Sequence, residues 1–351
     1  MLGIRAILTG AALAVTGAAC VQVAARSAGP GGPGSTAQPA GTPTSAARTA
    51  ATLPPTTTVP NTTTPPLGPP YPVGRATLTF TEPAGSGGGS GRVLPTVLRY
   101  PATAGGPYRA GGPYPLIVFS QGFDMPAETY APMLAAWAQA GYVVADPTFP
   151  ETAPDAPGGP NEGDIVNHPR DLAFVIDQLL AEAADPHSAL SGLVAPGYAG
   201  VAGHSDGGDV TLAVAANARY RDAHVRAAVV MSGSELPAYG PAYFTGPAVP
   251  LLVAQGTSDS FNSPACSIHF YDDAPAPKYY LSLPGSSHTG PFLGRGAAES
   301  AVVRATTDFF GAYLKGDHGA LGRLPADSVG GVASITTASS VPWSGGRCPG
   351  Y

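Results

Sequence analysis

The segment Gly203-His204-Ser205-Asp206-Gly207 decides how the rest of the chain is read. An apolar run, Tyr198-Ala199-Gly200-Val201-Ala202, leads into it, and Gly208-Asp209-Val210-Thr211-Leu212-Ala213-Val214-Ala215-Ala216 follows. That is the order of a buried strand, a tight turn and a buried helix. In a G-x-S-x-G turn of this kind the serine occupies a sharp, strained corner with its hydroxyl pushed out above the sheet. Glycine stands on both sides because a side chain there would strike the neighbouring strand or helix. It is the one such match in the chain, and Ser205 is expected to be a nucleophile.

A serine hydroxyl needs a base, and the base needs an orienting carboxylate. With this kind of elbow the partners follow in the order acid, then histidine, each just beyond a strand. The run Leu251-Leu252-Val253-Ala254 is followed by Gln255-Gly256-Thr257-Ser258-Asp259. The run Tyr279-Tyr280-Leu281-Ser282-Leu283 is followed by Pro284-Gly285-Ser286-Ser287-His288. Asp259 and His288 are therefore the expected acid and base, although Ser-Asp beside glycine is also ordinary turn chemistry. Of seven histidines only His288 has both the chain order and the preceding strand. His204 is expected to be structural, its ring pointing away from Ser205, and His168, beside a helix start, to be a capping or loop residue.

The oxyanion hole needs two backbone N–H groups. One is expected from Asp206, the residue after the serine. The other is expected from Phe123, in the loop Ser120-Gln121-Gly122-Phe123 that follows the apolar run Pro115 to Phe119. A carboxylate beside a forming oxyanion repels it, so the Asp206 side chain is expected to turn outward to a basic or polar partner. Tyr239, Tyr243 and Phe244 either line the mouth of the site or pack within their loop.

Outward from this centre, strand and helix patterns alternate. Ala76–Thr81 and Arg92–Tyr100 read as an antiparallel pair. Buried strands follow at Pro115–Phe119, Tyr142–Ala145, Ala227–Met231, Pro250–Ala254 and Lys278–Leu283, with helices near 127–140, 169–180 and 302–313. The class is α/β, with a mostly parallel central sheet and helices on both faces. Only the stretch Gly233–Ala248 separates two strands where a lid is often inserted, so no large lid is expected.

Arg5 and the apolar run Ala6–Val15 have the layout of a secretory signal over residues 1–25, too short to span a bilayer. Cleavage after Ala19 or Ala25 and lipidation at Cys20 are alternatives; Gly17 stands where a lipid-attachment signal usually carries an aliphatic residue. Residues 26–72 are a Pro/Thr-rich linker that cannot bury a core. The catalytic domain is expected over 73–316, with a Gly/Ser-rich tail over 317–351. Export makes Cys266 and Cys348 a disulfide by default. In the chain-entropy picture a loop of that length is worth roughly 4–5 kcal/mol. A net charge of −6 offers nothing to nucleic acid. No histidines fall at metal-ligand spacing on one element, so neither metal nor cofactor is expected.

The run Gly91-Arg92-Val93-Leu94-Pro95-Thr96, Tyr100-Pro101-Ala102, Pro115–Phe123, Gly141–Ala145, the helix from Asp171 to Leu180, and the segments of Ser205, Asp259 and His288 together resemble secreted bacterial α/β-hydrolases. That group is labelled predicted dienelactone hydrolases and is similar to platelet-activating-factor acetylhydrolases, chlorophyllases and bacterial cutinases or polyesterases. The resemblance covers about residues 77–315. It implies an α/β-hydrolase fold, no metal, and ester hydrolysis through an acyl-enzyme. The chain departs from it at Gln121, where relatives often carry His, and at Asp206, where polyesterases usually carry Met. The expectation is an exported, monomeric serine carboxylesterase for small-molecule or polymeric esters, secreted or tethered to the cell envelope. An acyltransferase of the cell envelope and an inactive surface-binding module are the alternatives.

Overall fold

Three of the apolar runs come out as strands without a break in burial, and they set the middle of the sheet. The computed structural model describes residues 68–84 and 91–348. The segment 1–25, Cys20 and the linker as far as residue 67 lie outside them. The chain is fastened at Tyr71, whose N–H donates to Gln139 O at 2.8 Å. Strands β1 (Val73–Glu82) and β2 (Arg92–Thr103) pair antiparallel, and the short β3 (Gly106–Pro107) folds back on β2. All seven residues of β4 (Tyr114–Ser120) are buried. Its alternate side chains serve two cores: Leu116 and Val118 face one helical layer, Ile117 and Phe119 the other.

A 3-10 turn at Ala127–Tyr130 leads into α1 (Ala131–Gln139), whose second residue, Pro132, suits the first turn of a helix. Then come β5 (Val143–Pro147), α2 (His168–Ala184), β6 (Val194–His204), α3 (Asp206–Ala216), β7 (Val225–Met231) and β8 (Leu251–Gly256). Helix α4 (Pro264–Asp273) precedes β9 (Lys278–Leu283), followed by α5 (Gly290–Leu293), α6 (Ala297–Lys315), α7 (His318–Arg323) and β10 (Ser334–Thr336).

The ten-stranded sheet runs β1-β2-β5-β4-β6-β7-β8-β9-β10, with β3 to the side. It is mixed rather than mostly parallel. The middle, from β5 to β9, is parallel, but β1, β2, β3 and β10 all pair antiparallel. At one margin β1, β2 and β3 follow one another through short hairpin-like connections, whereas at the other β9 reaches its antiparallel neighbour β10 only after α5, α6 and α7. Leu172, Val175, Val210, Val214 and Phe270 of α2, α3 and α4 cover one face; Met133, Trp137, Phe292, Val302 and Phe309 of α1, α5 and α6 cover the other. Burying each such side chain contributes roughly 1.5–3 kcal/mol. Trp137 Nε1 donates to Thr306 Oγ1 at 2.9 Å and locks α1 to α6.

The stretch read as a tail from 317 belongs partly to this body. Strand β10 extends the sheet beside β9. Lys278 Nζ donates to the carbonyls of Tyr271, Asp272 and Ser339, capping α4 and holding the returning chain. Cys266 and Cys348 form a disulfide, as expected. Among the described residues no helix is long and apolar enough to cross a membrane.

Candidate active site

Parallel strands place the turns that follow β4, β6, β8 and β9 at one end of the sheet, where open α/β sheets keep their sites. Ser205, between β6 and α3, has φ of 58°, a conformation uncommon for a non-glycine residue. Its N–H donates to Met231 O at 3.0 Å, and its carbonyl accepts from Gly208 and Asp209 at 2.7 and 3.1 Å. The corner can form only between glycines. A Cβ on Gly203 would lie 2.0 Å from Gly207 O, and one on Gly207 would lie 2.0 Å from Ser120 O.

His288, beyond β9, approaches this hydroxyl from a loop braced against the one that carries Asp259: Ser258 N–H donates to Ser286 O at 3.0 Å. His288 Nε2 is 2.9 Å from Ser205 Oγ, and Nδ1 is 2.8 Å from Asp259 Oδ2. Asp259, when charged, only accepts, so Nδ1 carries the proton and Nε2 is free to receive the serine's. Ser205, His288 and Asp259 are thus brought together as their spacing suggested.

Asp259 is held from all sides. Its Oδ1 accepts the N–H groups of Phe261 and Asn262, both at 2.9 Å, and Gln255 Nε2 donates to Oδ2 at 3.0 Å. Burial works against its charge, but the hydrogen bonds from His288, Asn262 and Phe261 outweigh it and keep the carboxyl below its ordinary value. The Phe261 ring, 81% exposed, stands 5.3 Å from the His288 ring and forms an open apolar wall.

In the loop after β4, hydrogen bonding singles out one amide. Gly122 N–H donates to Tyr130 Oη at 3.2 Å and Asp124 N–H to Thr152 O at 3.0 Å. Phe123 N–H, between them, makes no hydrogen bond among the described residues. In the amide orientation its neighbours require, Gln121 donates to Pro147 O at 2.8 Å and Asp146 Oδ1 at 2.9 Å, which anchors the loop to β5.

Asp206 departs from expectation. Its side chain does not reach a basic or polar partner: Oδ2 is enclosed and makes no hydrogen bond. Burial, reinforced by the negative charge of Glu162, pushes its pKa up to about 7, against the pull of His288 and of its own N–H.

The remaining histidines are placed elsewhere. His168 is buried at the start of α2, stacked on Phe149 with ring centroids 4.0 Å apart. His204 is buried beneath the serine corner. His224 contacts Asp177 at 3.2 Å and Asp222 at 3.1 Å, the one group among the described residues whose atoms could meet on a cation. It lies before β7, at the opposite end of the strands from Ser205. Tyr239 is buried and donates to Ile165 O at 2.8 Å, so it ties its loop to the segment before α2; Tyr243 is buried as well.

Sequence reasoning passed over Gln255, Asn262 and Tyr130. Gln255 offered one signal, a polar amide inside the otherwise apolar end of β8; the other two gave none. No family model matches the chain, and no curated protein matches it.

Proposed function

We propose that this chain is an exported serine carboxylic-ester hydrolase with an α/β-hydrolase fold, of the secreted esterase and cutinase-like group that its sequence resembles. The observation that carries the reading is the linked series Ser205 Oγ, His288 Nε2 and Asp259 Oδ2, with contacts of 2.9 and 2.8 Å, beside an unengaged Phe123 N–H. Ser205 attacks the ester carbonyl while His288 Nε2 takes its proton. Asp259 holds the imidazole and stabilises its charged form without taking the proton. The oxyanion of the tetrahedral intermediate is received by the Phe123 amide and by that of Asp206. His288 then returns the proton to the departing alcohol oxygen, leaving an acyl-serine. Water, deprotonated by the same imidazole, attacks the acyl carbonyl, and the carboxylic acid leaves as Ser205 recovers its proton.

The exposed Phe261 wall and the short connection between β7 and β8 support small or surface-accessible esters over substrates that need a lid. The Cys266–Cys348 disulfide fits an oxidising compartment. Hydrolysis of short-chain p-nitrophenyl esters tests the proposal directly. The Ser205→Ala variant is expected to lose at least about 10³-fold in kcat and all labelling by a fluorophosphonate. Equal rates for the two proteins would overturn the reading.

A further inference from the structure

The loops that carry Phe123, Ser205 and His288 are joined beneath the site by two side chains that take no part in the proton transfers above. Tyr130 is 0% exposed and His204 1%. His204 Nε2 lies 2.9 Å from the backbone carbonyl oxygen of His288. His204 Nδ1 lies 2.9 Å from Tyr130 Oη, and that oxygen also accepts the Gly122 N–H at 3.2 Å.

Proton accounting leaves this chain only one polarity. A carbonyl oxygen cannot donate, so His204 Nε2 must carry a hydrogen. Burial, helped by the nearby His288, lowers the His204 pKa to about 3, so the ring is neutral and Nδ1 is a bare acceptor. The Tyr130 hydroxyl hydrogen must then point at Nδ1, which leaves an oxygen lone pair for Gly122. Burial also raises the Tyr130 pKa, so the hydroxyl keeps its hydrogen. Every donor has one acceptor, and a buried group left unpaired would carry the full cost of its desolvation.

The ends of the chain matter more than its middle. One end is the amide just before Phe123, and the other is the backbone of the base itself. His204 is also covalently joined to Ser205. The contact geometry is tight: a Cβ on Gly122 would sit 3.2 Å from Ser205 Cβ and 3.3 Å from Tyr130 Oη. The His204 ring packs against that of His288, with centroids 4.7 Å apart, and against Phe292 at 4.9 Å.

We infer that Tyr130 and His204 are positioning residues, a buried strut that holds the Phe123 amide and the His288 imidazole in register with Ser205. The inference rests on the ester-hydrolase reading. Displacing reacting groups by about 1 Å can cost 10²-fold in rate, while substrate affinity need not change.

The decisive variant is Tyr130→Phe, which keeps the ring and removes only the hydroxyl. Active sites are titrated with a fluorophosphonate, and kcat per titrated site is measured on a short-chain p-nitrophenyl ester. The expected result is a fall of roughly 10–100-fold in kcat with KM unchanged within two-fold, and a parallel fall in the rate of phosphonylation. His204→Gln, whose amide can still donate to the His288 carbonyl, serves in its place should Tyr130→Phe fail to fold, with the same expectations. The double variant is expected to be no slower than the slower single one, because the strut is broken only once. Per-site kcat within two-fold of wild type, or a KM that rises as far as kcat/KM falls, would overturn the inference and leave the hydrolase reading intact. A wild-type protein inert to both ester and fluorophosphonate would overturn both.

Discussion

Two aspartates feel the charge of the same imidazole, and their surroundings give them opposite characters. Asp259 receives three hydrogen bonds besides that of His288 and is held below its ordinary carboxyl range. Asp206 has an enclosed oxygen with no donor and is pushed up to about 7. Both are shielded from water, so burial alone does not decide whether a carboxyl group is charged. The supply of donors does. At the first, a permanent negative charge faces Nδ1 and fixes the tautomer. At the second, a group that is largely neutral in mildly acidic conditions adjoins the place where an oxyanion would form.

The largest expected effect comes from removing the charge at the well-supplied site. Asp259→Asn is expected to lower kcat by about 10⁴-fold, because the amide favours the wrong imidazole tautomer. A loss below about ten-fold in p-nitrophenyl ester turnover would show that some other group orients His288. Removing one donor sharpens the contrast: Gln255→Met keeps the volume but takes away the Nε2 contact, and kcat is expected to fall about ten-fold with KM unchanged. Unaltered steady-state kinetics would mean that the Phe261 and Asn262 amides suffice.

The smallest effect is expected at the donor-poor site. Asp206→Asn should leave turnover at pH 6 within a few-fold. Its signature lies in stability. The folded pKa of Asp206 is raised above the ordinary 3.8, so its contribution to stability is complete below that pH and is lost as pH rises through about 7. The amide does not titrate and escapes that loss. Thermal denaturation should therefore show the variant gaining a few degrees over wild type at pH 8 and little or nothing at pH 4. An equal shift at both pH values would mean that burial does not raise the pKa of this carboxyl group.

The parts of the site that could be read in the sequence were those that follow a strand. Ser205, Asp259 and His288 each stand just past an apolar run, and parallel strands bring such positions to one end of a sheet. The supports were not legible, since Tyr130 meets His204 across 74 residues, and nothing local in either segment announces the contact. The position of the Asp206 side chain was misjudged for the same reason: its neighbour Glu162 comes from a distant proline- and glycine-rich loop. Helix α4 escaped notice because Cys266, Ser267 and His269 interrupt any simple apolar period. The segment 317–336 looked like tail by its glycines, yet β10 forms because a ready partner waits in β9.

That last strand has a consequence for how the protein behaves in company. The outer margin of a sheet is a row of idle donors and acceptors on which another chain can grow. Here three residues, Ser334–Thr336, occupy the outer side of β9, and the Lys278 ammonium and the sulfur bridge hold the chain that follows. The last stretch of polypeptide thus works as a selvedge. In a reducing medium the bridge is lost, and with it one of the fastenings that hold this stretch along that margin.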